Sequence, residues 1–416
     1  MVERMNKKTP DIRFKGFSDD WEQRKLSSIV ERVTRKNSDL ESMLPLTISA
    51  VYGLVDQNTF FKKQIASKDV SNYYLIKKGE FAYNKSYSNG FPWGAIKRLD
   101  NYDMGVLSTL YILFKPININ SEFLVSYYDT NYWHKEVSRR AAEGARNHGL
   151  LNITAKDFFD TSLHTPSSKE EQESIGYIFN RIEETIALHQ RELDLLKQSK
   201  KGFLQKMFPK KEETSPDIRF SGFTRKWEQQ KFRDMVESFE YGLNSAATKY
   251  DGENKYIRIT DIDDSSNVFL QAGLTSPDTD LEKADNYLLK YGDILFARTG
   301  ASVGKSYRYR KEDGKVYYAG FLIRARLKSK YNSEFIFQNT LTAHYDNFVR
   351  ITSQRSGQPG INANEYASFE FFVPGDYEQN QIGKLFKLID TTIALHQGKI
   401  ESLKQMKKAL LQKMFI

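Results

Sequence analysis

The chain says the same thing twice, and that limits its fold more than any other feature. Residues 10–26 read PDIRFKGFSDDWEQRKL and residues 216–232 read PDIRFSGFTRKWEQQKF, identical at 11 of 17 positions. Residues 171–208 recur as 378–415, identical at 22 of 38 positions. The offsets are 206 and 207 in a chain of 416 residues, so the molecule is two near-equal halves. A repeat this long is a domain duplication and not a short-period solenoid. Between the repeated parts lie residues 27–165 and 233–375, which share little sequence. A repeated frame with varied content suits a protein that reads two different things at a fixed separation.

The repeated 38-residue segments read as long helices. One apolar seam runs Ile175, Phe179, Ile182, Ile186, His189, Leu193, Leu196, Lys200, Phe203 and Met207. The other runs Ile382, Phe386, Ile389, Ile393, His396, Ile400, Leu403, Lys407, Leu410 and Met414. Steps of four and three alternate, which is a heptad pattern and points to a coiled coil. Neither segment contains proline, and Pro209 stops the first. Each helix should span about 57 Å at 1.5 Å per residue. The second helix can pair with the first only by running back, so the pair should be antiparallel, with the start of the chain beside its end. His189 and His396 should set register, with no carboxylate beside them in the seam. The lysines crowding both helix ends should complement the helix dipole.

Composition narrows the chemistry. Hydrophobic residues make up 39% and charged residues 28%, as in a soluble globular protein. No apolar run approaches the ~20 residues of a membrane helix, and the opening MVERMNKKTP lacks the apolar core of a signal peptide. With no cysteine, disulfides, thiol nucleophiles and cysteine–zinc sites are excluded, and a reducing cytoplasm is the expected location. The six histidines are scattered without metal-ligand spacing, so no metal site is expected. There is no Pro-Pro, hence no Asn/Asp-Pro-Pro-Tyr motif of an adenine methyltransferase. No catalytic residue is assigned. The net charge of +9 permits a polyanionic partner. Residues 290–360 carry 13 Lys/Arg against five Asp/Glu, and residues 233–289 carry five against 12.

The variable regions read as mixed α/β domains, with strand-like runs at 79–84, 106–114, 293–297, 316–327 and 369–373. The run at 293–297 opens into Arg298-Thr299-Gly300-Ala301-Ser302-Val303-Gly304-Lys305-Ser306. A phosphate loop needs four residues between its glycines and a helix after them. This loop has three, and the stretch after it, through Arg308, alternates like a strand. Such a loop still offers cations and backbone N–H groups to DNA phosphates. The first domain has Lys85, Tyr87 and Asn89 in a comparable place, followed by Lys97 and Arg98. Further along come Arg139, Arg140, Arg146 and Asn147 in one domain, and Arg355, Gln358 and Asn362 in the other. Arg, Asn and Gln are the side chains that make bidentate contacts to base edges.

The Trp-Glu-x-x-Lys entry, the Gly-Asp-Ile-Leu-Phe-Ala-Arg-Thr-Gly loop and the duplicated Glu-Gln…Ile…Phe…Ile helix resemble the specificity subunit of type I restriction–modification enzymes. The first domain departs from that loop pattern, with Glu-Phe-Ala-Tyr-Asn-Lys after Gly79. The resemblance implies an α+β protein: two mixed α/β target-recognition domains joined by two long antiparallel coiled-coil helices, with internal duplication and pseudo-two-fold symmetry. The expected parts are an N-terminal segment and first recognition domain at 1–168 and a spacer helix at 169–209. A linker and second recognition domain come next at 210–376, then a second spacer helix at 377–416. The resemblance further implies double-stranded DNA as ligand, each domain reading one half of an asymmetric bipartite site. Two modification (methyltransferase) subunits and the restriction (motor-nuclease) subunits would be partners. S-adenosylmethionine, ATP and Mg would sit on those partners, with no cofactor in this chain. Two rival readings are a scaffold spacing two protein-binding domains and a self-contained DNA-modifying enzyme.

Overall fold

The computed structural model describes residues 9–49, 52–63, 65–86, 90–141, 151–210 and 213–416. The chain forms two compact units, Met1–His189 with Gly398–Ile416, and Gln190–Gln397. The two repeated segments are the helices Lys169–Lys206 and Asp376–Lys413, each of 38 residues. The first helix ends three residues before Pro209, which continues no helical hydrogen bond. Each unit contains the beginning of one long helix and the end of the other, running antiparallel. In the first unit Phe179 lies against Phe415, with ring centroids 5.9 Å apart. In the second unit Phe386 lies against Phe208 at 5.8 Å.

The predicted seam is the buried face. Ile175, Phe179, Ile182, Leu193, Ile382, Phe386, Ile389, Ile393, Ile400 and Leu403 are all buried, while Ile186 and Leu196 are half-buried. Two of the end lysines do more than complement a dipole. Lys200 reaches Asp390 at 2.7 Å in the second unit, and Lys407 pairs with Glu183 and with Asp129 (2.6 Å) in the first. His396 has a carboxylate nearby, contrary to expectation: its Nδ1 is 3.4 Å from an oxygen of Glu192.

The PDIRF segments explain why both ends of the repeat are retained. Arg13 makes two parallel bonds to Glu171, Nε–Oε1 2.6 Å and Nη2–Oε2 2.7 Å. Arg219 makes the same pair with Glu378 at the same two distances. One residue earlier, Ile12 N–H donates to Lys413 O (2.9 Å) and Ile218 N–H to Lys206 O (2.8 Å). Each segment therefore satisfies an orphan carbonyl at the end of one long helix and clasps the first turn of the other. The tryptophan beyond it, Trp21 or Trp227, packs edge-on against Phe415 or Phe208. The expectation that the chain's first residues lie beside its last holds from Ile12 onward.

The globular parts repeat one architecture on different sequences. Strand Glu22–Lys25 pairs antiparallel with Ser162–Thr165, as Glu228–Lys231 does with Glu370–Val373. In the first unit an antiparallel four-stranded sheet runs in the order Val30–Val33, Ile112–Pro116, Phe81–Asn84, Ala95–Arg98. In the second the order is Val236–Tyr241, Leu322–Leu327, Ile294–Ala297, Ser306–Arg308. The chain runs from each sheet's second strand into a helix: Ser121–Tyr128, capped by Asn120, and Ser333–Asn339, capped by Asn332. Its N-terminus is tied to the long helix by a repeated glutamine. Gln172 Oε1 accepts from Asn120 N–H (2.9 Å), and Gln379 Oε1 from Asn332 N–H (3.1 Å).

Two expected strands are broken. The run 106–114 divides into Met104–Leu107 and Ile112–Pro116, and 316–327 into Val316–Tyr318 and Leu322–Leu327. In each case the chain leaves a small sheet and enters the main one. Apolar residues lie on both sides of each short turn, so composition alone reads one strand where there are two.

Candidate nucleic-acid interface

In the second unit the loop after strand Ile294–Ala297 is held from behind by buried tyrosines. Tyr366 Oη donates to Ala297 O (2.7 Å) and accepts from Gly304 N–H (3.1 Å), while Tyr345 Oη donates to Gly304 O (2.8 Å). Burial raises both phenols well above their ordinary range, so both remain protonated donors. Gly304 has φ +89°, and a Cβ there would lie 2.5 Å from Val349. The loop is thus pinned at both ends and open at its tip.

The tip meets the segment predicted to share its role. Gly300 N–H donates to Pro359 O (3.0 Å), Ile361 N–H to Arg298 O (2.9 Å), and Thr299 bridges to Gly360. Arg298, Thr299, Arg355 and Gln358 therefore lie on one lip. The Arg298 guanidinium sits 4.9 Å from the ring centroid of Tyr241, an exposed aromatic that the sequence pattern did not single out. Gln358 is exposed; Arg355 is 39% exposed and paired with Glu365.

Other predicted contacts are otherwise engaged. Arg308 lies buried, its side chain 7% exposed and ion-paired with the equally buried Glu334, so it braces the core. Lys305 points inward to Ile262 O (3.0 Å) and to Asp264, with 13% exposure. Asn362 spends its Oδ1 on the N–H of Glu365 (2.9 Å) as a helix cap. Ser302 lies half-buried in the loop, its carbonyl accepting from Lys305 N–H.

In the first unit, Lys85 occupies the place of Arg298, one residue past strand Phe81–Asn84. Its carbonyl accepts from Leu151 N–H (3.0 Å), as Arg298's does from Ile361, and its Nζ donates to Ile153 O (3.2 Å). Lys97 pairs with Asp129 (2.8 Å), and Arg98 with Asp100 (2.6 Å) and Glu122 (2.7 Å), so both brace the domain. Arg139 is 54% exposed beside Glu136; Arg140 bonds Glu136 and Asp160 O. Tyr87, Asn89, Arg146 and Asn147 lie outside the described residues.

Each unit also has a cleft between helix and domain. That of the second unit, about 750 Å³, is lined by Lys197, Lys201 and Arg350 but also by Asp264, Asp346 and Asp390. Its counterpart, about 730 Å³, sets Lys404 and Lys408 beside Asp129 and Glu183. Both clefts are thus of mixed charge.

In both units a cation follows the same central strand, on a duplicated helical frame. Residues 224–405 match the family model of the type I restriction modification DNA specificity domain. The chain is 26% identical over 211 residues to the MjaX type I restriction enzyme specificity subunit of Methanocaldococcus jannaschii, covering 49% of each. It is 20% identical over 270 residues to the MjaVIII specificity subunit of that organism, covering 63% of each. The matches thus span about half and somewhat under two thirds of these curated relatives. Its fold resembles the crystal structure of a type I restriction-modification S subunit from M. genitalium. There the TM-score is 0.63 at 14% identity, over 98% of this chain and 99% of the other. Residues 224–405 thus resemble the type I restriction modification DNA specificity domain, and the chain as a whole shares the fold of a solved S subunit.

Proposed function

We propose that this chain is the sequence-reading subunit of a type I complex, each globular domain reading one half of an asymmetric, gapped DNA site. The observation that carries the reading is the pairing of one architecture with two different lips. Both domains place a cation one residue past the same central strand, while the residues around it differ. Identical domains would read a palindrome; these should not. Phosphate contacts would fix register, and Arg298, Thr299, Arg355 and Gln358 would reach bases in one half-site. Lys85 is the counterpart in the other.

The long helices would set the separation and dock two modification subunits. Leu188 and Leu395, 207 residues apart, are 55% and 67% exposed, and such leucines repeated on a solvent face suit a partner surface. S-adenosylmethionine, ATP and Mg would be bound by the partners, with restriction subunits joining for cleavage. This chain would bind and position without chemistry of its own. Alanine at Arg298 or Arg355 should weaken recognition of one half-site only. Binding of complexes to duplexes altered in one half-site at a time checks this, and equal loss at both half-sites would contradict it.

A further inference from the structure

We infer that Phe321 and Leu110 are specificity-determining residues that pack against thymine methyl groups in the two half-sites. The inference rests on the DNA-reading function proposed above. Both residues lie in the turns that break the two expected strands. Phe321 is 63% exposed, between half-buried Gly320 and buried Leu322, and Leu110 is 58% exposed, between exposed Thr109 and half-buried Tyr111.

The register places them identically. Ala297 pairs with Leu322, so the next rung sets Arg298 opposite Phe321, and Arg298 N–H donates to Phe321 O at 3.1 Å. In the first unit the pairing ends at Tyr83 and Ile112, and continuing that register two rungs would set Lys85 opposite Leu110. Two domains with little sequence in common thus each expose one large apolar side chain opposite the cation at the mouth of the central strand. Packing does not require it, since an exposed Phe or Leu contributes little to the fold. Chance exposure at a single position is ordinary; the same rung in both domains, beside the same charge, points to a ligand surface with apolar spots among polar ones.

DNA offers that combination in the major groove. Guanine and adenine edges accept or donate to Arg and Gln, and the thymine C5-methyl is the apolar feature beside them. The alternative of a wedge driven between base steps needs a side chain standing clear of the protein. Both residues have more than a third of their surface covered, and the Arg298 guanidinium is held between Gly320 O (3.5 Å) and the Tyr241 ring. Such a surface lies along base edges.

The test uses the chain copurified with its modification subunit and a duplex carrying the motif that the complex methylates. Every thymine of one half-site is replaced by uracil, which removes only the methyl. We expect uracil in the half-site of the second domain to weaken the wild-type complex about tenfold, the usual size of one lost base contact. Phe321→Ala should be weaker on thymine by a similar factor and indifferent to uracil, while Phe321→Leu should keep the discrimination. Leu110→Ala should behave likewise at the other half-site. Equal uracil sensitivity of wild type and Phe321→Ala, or unchanged binding by Phe321→Ala, would overturn the inference and leave the proposed function standing. If the wild-type complex methylates no chain-dependent gapped motif, the function falls and the inference with it.

Discussion

The residue carrying most of the frame is the arginine of PDIRF. Arg13 and Arg219 each meet a carboxylate whose side chain is 1–2% exposed, in a two-pronged geometry that lysine cannot copy. Removing one partner leaves a buried charge, so Arg13→Ala or Arg219→Ala should cost about 3 kcal/mol in urea unfolding. Arg13→Met combined with Glu171→Leu should recover much of that; a double variant as unstable as the single would refute the pairing as cause. Arg308→Ala should likewise lower the thermal midpoint, through unpaired Glu334, without changing which DNA sequence is chosen. At Asp129, burial opposes ionisation, but Lys97 and Lys407 outweigh it and hold the carboxyl below its ordinary value of 3.8. A depressed folded value means stability that is present above that pH and lost as pH falls through the folded value. The acid limb of the unfolding curve below about pH 4 should therefore flatten in Asp129→Asn.

At the scale of elements, the helices were legible because their heptads repeat, whereas the contacts that orient them were not. Gly176 and Gly383 lie beside the seam in both copies, where alanine would ordinarily gain about 1 kcal/mol in a helix. Here a Cβ at Gly176 would lie 2.5 Å from Glu122 Cβ and 2.8 Å from Phe123 N; at Gly383 it would lie 2.4 Å from Asn332 Oδ1. Both alanine variants should therefore destabilise by about 1–3 kcal/mol, measured as a lowered urea midpoint. The sequence hid this because the crowding helix, Ser121–Tyr128 or Ser333–Asn339, comes from the variable region. The same reason hid the lip. Residues 106–114 and 316–327 are apolar-rich enough to read as single strands, and only the pairing register shows the turns at Leu110 and Phe321. Arg308, by contrast, looked like a ligand residue because nothing local shows that Glu334, 26 residues on, is buried against it. Arg298 and Thr299 could be read together in advance as neighbours in one loop, but that the segment of Gln358, about 60 residues on, folds against them was not legible locally.

At the scale of the molecule, the proposed function would make distance a property of the helices and sequence choice a property of the domains. Inserting one heptad into each helix, in register, adds about 10.5 Å and should lengthen the unread gap by up to about three base pairs. Both half-sites should stay the same; an unchanged gap would remove the helices' role as spacer. The central claim is tested most directly by mapping methylated bases in DNA from cells expressing this chain with its modification subunit, against cells lacking the chain. The account predicts adenine methylation at one asymmetric, gapped motif that appears only when the chain is present. No chain-dependent methylation despite a stable complex, or a palindromic motif, would contradict it.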